Sequence, residues 1–100
     1  MTSEDELERR FHRAMEDIYH AAKSNVGYTA TRFMQMVQEQ GGLSTARQLL
    51  AKTDKEVSHG FTELALANRL DLSMEALVLQ DEWKPLFSDT ELATARRRLR

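Results

Sequence analysis

Four sets of residues in this chain have types and spacings that could do chemistry. His12, Glu16 and His20 recur at i, i+4 and i+8, which lines three potential metal donors along one helical face. A zinc peptidase helix needs H-E-x-x-H, and no further ligand set follows, so a solvated face with a His–Glu pair is the expected outcome. Asp81 and Glu82 are adjacent carboxylates. Acid–base work needs carboxylates that converge, whereas neighbours on a helix diverge by roughly 100°. Ser58-His59-Gly60 sets a hydroxyl beside an imidazole, but no G-x-S-x-G elbow is present to expose a nucleophile. The glycines that flank the 27–42 segment, at Gly27 and Gly41-Gly42, lack the preceding strand and the G-x-x-x-x-G-K-[ST] pattern of a phosphate cradle. They read as helix punctuation. No constellation is complete, and the expectation is a non-enzyme with no metal and no cofactor.

The closing run ARRRLR is the strongest local charge feature. Arg96, Arg97, Arg98 and Arg100 could contact phosphates, with a salt-dependent affinity. No aromatic residue interleaves with them, so they do not form a stacking platform for single strands. They equally suit a helix C-terminus, where the backbone dipole favours cations, or ion pairs with acids elsewhere in the domain.

The elements that would carry these residues are helical throughout. Ser3 and Glu6 form an S-x-x-E capping box, and Leu7, Phe11, Ala14, Met15, Ile18 and Ala22 follow on one face. This predicts a long first helix over 1–26, with one end free to project. Gly27 ends it, and Thr29 is placed to cap a second helix with Ala30, Phe33, Met34 and Val37 inward. Met36 falls off that stripe. Gly42 or Ser44 opens a third helix. The charged stretch 52–59 is the expected mobile loop. A fourth helix begins at Gly60-Phe61 and buries Phe61, Leu64 and Ala65. Ser73 caps a fifth that runs on past Trp83 until Pro85 stops it, with Asp81 and Glu82 in its last turn. Trp83, partly buried near that corner, would need an acceptor for its indole N–H. Ser88 and Glu91 form a second capping box ahead of a last helix with Leu92, Ala95 and Leu99 inward.

The composition agrees. The chain has 100 residues, 41% of them hydrophobic, with one proline and four glycines. That size suits one domain, and so few turn residues argue against an all-β fold. The reading is all-α: one domain over 1–100, a compact bundle of five to six helices, its long N-terminal helix over 1–26 and a helical body over 27–100. Cysteine is absent. The N-terminus, MTSEDELERRF, is charged at once, and no apolar run approaches the ~18 residues of a membrane span. A soluble, intracellular protein, cytoplasmic in location, is expected. Net charge is −2. Leu92 to Arg100 holds four arginines and no acid, so the remainder is mildly acidic, which disfavours broad binding to phosphate backbones.

From Gly27 onward the chain resembles a small helical domain that recurs in uncharacterised bacterial proteins linked to restriction and other defence functions. The resemblance rests on GYTATRFMQMVQEQGGLSTARQLL and GFTELALANRLDLSMEALVLQDEWKPLFSDTELATARRRL, most specifically on RLDLSMEALVL with the following WKPLF. It covers roughly three-quarters of the chain and carries over no catalytic residue. The 52–59 loop and the charged first helix depart from the family pattern. As a small, acidic, stand-alone helical chain, the protein is also similar to the phage anti-CRISPR inhibitors.

That resemblance implies a non-enzymatic protein-binding module, an inhibitor that binds a type I CRISPR surveillance complex and blocks target DNA binding. The protein is expected to be a monomer in isolation, with no membrane partner. Its contact candidates are the acids Asp5, Glu8, Glu16, Asp17, Asp54, Glu56, Asp81 and Glu82. The alternative is a DNA-binding accessory domain of a restriction-type system that uses Arg96, Arg97, Arg98 and Arg100. A third reading is an oligomerisation domain in which the first helix packs against its copy.

Overall fold

In a computed structural model, which describes residues 3–52 and 59–100 with side chains from Asp5 onward, the apolar stripe of the first segment lies along one 24-residue helix, α1 (Ser3–Val26). The Ser3 side chain, and with it the first capping box, lies outside the described residues. Five further α-helices follow: α2 (Thr31–Gln40), α3 (Gly42–Ala51), α4 (His59–Leu66), α5 (Met74–Val78) and α6 (Asp89–Arg98). Two 3-10 helices, Leu70–Leu72 and Asp81–Leu86, flank α5. No strand occurs among the described residues, so the all-helical reading holds.

At 1.5 Å per residue α1 is about 36 Å long, nearly the whole 40 Å long axis of the molecule. It does not project as an added arm. Helices α2, α3 and α5 and both 3-10 helices pack against it, and Phe11 and Met15 are completely buried. The charged first helix supplies the centre of the core.

Phe11 anchors that core. Trp83 and Phe87 both meet it edge-on, with ring centroids 5.5 and 5.4 Å away. Val37, Ala46, Leu50, Met74, Leu77, Val78, Leu86, Leu92 and Ala95 complete the cluster. Edge-to-face rings are the favoured arrangement, because the positive rim of one meets the negative face of the other.

The Trp83 contact explains a departure from the expected path. Helix α5 ends at Val78, Gln80 is extended, and Asp81–Leu86 forms a separate 3-10 helix with Pro85 inside it. Proline does not stop a helix here. The break turns the chain so that Trp83 swings onto Phe11, and bonds such as Trp83 N–H to the Gln80 carbonyl (3.0 Å) close the tighter turns. The indole N–H of Trp83 is buried with no acceptor among the described residues, against the expectation that it would find one. The guanidinium of Arg10 lies 5.8 Å from the ring centre.

Gly41 and Gly42 form a joint, each glycine for its own reason. Gly41 has φ 90° and ψ 156°, a region only glycine enters without strain. At Gly42 a Cβ would lie 2.7 Å from the His12 Cα, so α3 starts in direct contact with the backbone of α1. His12 Nδ1 accepts the Gly42 N–H at 2.9 Å and so caps α3 from a different helix. Helix α2 differs from expectation at its start: Ala30, not Thr29, is its N-cap, and no side chain caps it. Ser73 caps α5 as expected, and Ser88 with Glu91 forms a complete capping box on α6.

Candidate functional site

Along α1 the core residues Phe11 and Met15 give way to Ile18, Tyr19 and Ala22. These line a cavity of about 190 Å³ between the C-terminal half of α1, helix α2, the end of α3 and α4. Phe33 and Met36, one turn apart on α2, form a second wall. Phe61 and Leu64 of α4 close it from above, with Tyr28 at the α1–α2 link. Tyr19, Tyr28, Phe33 and Phe61 are all half-buried, unlike the rings of the core. Helix α4 packs chiefly on the adjacent Leu70–Leu72 turn, and it carries the most exposed large hydrophobic residue described, Leu66 at 78%. Ala65, expected inward, is exposed. Of the eight residues of α4, Leu64 is the one that is buried.

The floor of the groove is polar and strongly tied. Arg98 Nη1 donates to Glu75 Oε2 at 3.1 Å, and both side chains are under 10% exposed. The same guanidinium donates to the carbonyls of Leu49 (3.1 Å), which also accepts the Lys52 cap N–H, and of Lys52 (2.8 Å), just past the end of α3. A cation at a helix C-terminus also complements its dipole. One arginine thus clamps α3, α5 and α6. The arginine run therefore does not form a single outward face: Arg96, Arg97 and Arg100 are exposed and Arg98 is turned inward.

The rim is charged. Arg32, Lys52 and His59 line it and are exposed. His59 Nε2 lies 3.4 Å from Glu63 Oε1, and its ring meets Tyr28 edge-on with centroids 5.8 Å apart. Burial, and then the nearby Glu63 carboxylate, raise the Tyr28 phenol above its ordinary value of 10.0.

The acidic contact candidates are distributed elsewhere. Asp5, Glu8 and Asp17 are exposed on α1. Glu16 accepts a hydrogen bond from Gln38 at 2.7 Å and faces His12 at 3.9 Å, so it braces α1 against α2. Glu82 pairs with Arg10 and joins α1 to the 81–86 helix. Asp81 binds Lys84 at 2.8 Å, which holds its carboxyl below the usual carboxylate value. Asp81 and Glu82 occupy the first turn of a 3-10 helix, not the last turn of α5. Asp54 and Glu56, in the loop expected to be mobile, lie outside the described residues. His20 packs edge-on to Tyr19 at 5.1 Å. Among the described residues no three histidines or carboxylates gather as a metal set would require. No helix of the described residues is long and apolar enough to cross a membrane.

No family model, curated protein or solved structure matches the chain. The groove was not legible as a site beforehand. Met36 looked misplaced only because α2 buries two faces, one on the core through Val37 and one on the groove.

Proposed function

We propose that this chain is a non-enzymatic protein-binding module that seats an apolar anchor of its partner in the groove beneath α4. The observation that carries the reading is the concentration there of half-buried aromatic rings and Met36 beside an exposed Leu66. Rings with polar tips, together with a methionine that can repack, are the side chains that binding surfaces favour. The groove is too small to enclose a drug-sized ligand, for which cavities of about 300–1,000 Å³ are usual. It suits one anchoring side chain. The partner in the narrower form of this proposal is a type I CRISPR surveillance complex, which rests on the sequence resemblance together with small size and acidic balance.

The test is a tagged pull-down from bacterial lysate, with and without nuclease, read by mass spectrometry. A stoichiometric partner is expected to survive nuclease and to be lost with Met36→Glu or Leu66→Glu. CRISPR subunits in the captured set would support the narrower form. Capture that survives both substitutions would remove the groove from the interface. Capture that vanishes with nuclease, and with Arg96→Ala plus Arg100→Ala, would transfer the function to nucleic acid.

A further inference from the structure

We propose that the anchor this groove selects is the C-terminal residue of a partner chain: an apolar side chain followed by a free carboxylate. The inference rests on the groove reading above and names the chemistry of its occupant. Two observations carry it. The first is size. A cavity of about 190 Å³ is slightly larger than the ~150 Å³ that holds a benzene ring. It admits one large side chain and not the face of a helix or a through-running backbone. The second is charge. Among the described residues Glu75 is the only carboxylate that lines the cavity, and Arg98 occupies it at the floor, while Glu63 beside the rim faces His59. Arg32 and Lys52 stand at the rim with no ion pair to any described residue. A carboxylate seated there meets two exposed cations, while its apolar side chain enters among Phe33, Met36 and Leu64. A chain end supplies both groups on one residue and requires no exit path for backbone. Capture of terminal carboxylates is a recurrent mode of peptide recognition.

The experiment is an amide-shift NMR titration of the full chain with the peptide acetyl-Gly-Gly-Phe as free acid, the same peptide as its C-terminal amide, and phenylacetate. The free acid is expected to shift the amides of Phe33, Met36 and Leu64 and to bind at least about tenfold more tightly than the amide, the scale of one charge-assisted contact. Arg32→Glu with Lys52→Glu should erase that preference while leaving the thermal midpoint in place, since both side chains are exposed. Equal binding of acid and amide would overturn the carboxylate assignment and leave the groove reading standing. Phenylacetate binding as tightly as the peptide acid would overturn the chain-end assignment in favour of a small free acid. Shifts confined to residues outside the groove, or no shifts at all, would overturn the proposal. The groove reading itself fails separately, when capture in lysate is indifferent to Met36→Glu and Leu66→Glu.

Discussion

The two ends of α1 use the same kinds of side chain to opposite effect. Near its N-terminal half, Phe11 meets Trp83 and Phe87 and all three are closed from solvent. Near its C-terminal half, Tyr19 joins Tyr28, Phe33 and Phe61, and all four remain partly open. The chain's seven aromatic residues divide between them. The difference lies in what covers each end. The closed end is covered by α3, α5, α6 and the 81–86 helix, which are tied to one another. The open end is covered by α4, whose anchorage is mainly its own neighbour in sequence. Ring content by itself does not distinguish core from binding surface; the security of the lid does.

The most severe way to break this contrast is Phe11→Ala, which should cost about 3–5 kcal/mol, because the rings that pack on it cannot collapse into the space. Phe33→Ala should cost about 1 kcal/mol, since that ring keeps part of its surface in water already. Urea denaturation of both variants measures the gap, and equal losses would mean that the two ends are one continuous core. Glu75→Ala comes next. It leaves Arg98 buried with its carbonyl contacts but without its countercharge, and should cost about 3 kcal/mol by the same measurement. A loss confined to groove binding, with stability unchanged, would make the pair part of the site alone.

Gly42→Ala is a smaller perturbation at the joint between the ends. Its Cβ meets the backbone of α1, which cannot yield as a side chain tip would, so about 1–3 kcal/mol is expected. A neutral result would mean that α1 and α3 can separate freely. The finest probe is Tyr28. Its folded-state pKa lies above the unfolded value, so the folded state keeps a proton that the unfolded state loses. The associated stability is present below pH 10 or so and fades as pH rises through the folded pKa. Phenolate absorbance should show one tyrosine titrating late, and Tyr28→Phe should remove that component. Glu63→Gln should bring it only part of the way back, because burial is the larger cause. A normal titration would mean that α4 does not rest over the groove.

Much of the fold was legible because it depends on local rules. Helical spacing located Phe11, Met15 and Ala22 on one face, and the caps at Ser73 and Ser88 stand where the pattern put them. Chemistry of this kind needs only neighbours within about four residues. The site was not legible in the same way. Arg98 looks identical to Arg96 and Arg97 in the sequence, and only the phase of α6 against α3 and α5 sends it inward to Glu75, 23 positions away. His12 looked like a surface histidine until the helix crossing brought the Gly42 N–H to it.

The sequence alone determined that this chain would be helical, where most of its helices would start, and which stripe of α1 would face inward, because hydrogen bonding and burial within one helix are short-range. Only the tertiary structure decided that the break after α5 would deliver Trp83 to the core. It alone decided which arginine would be a clamp, and that four aromatic residues would be left beneath a lightly held helix. Those outcomes depend on how helices pack across long sequence separations, where identical side chains meet different partners.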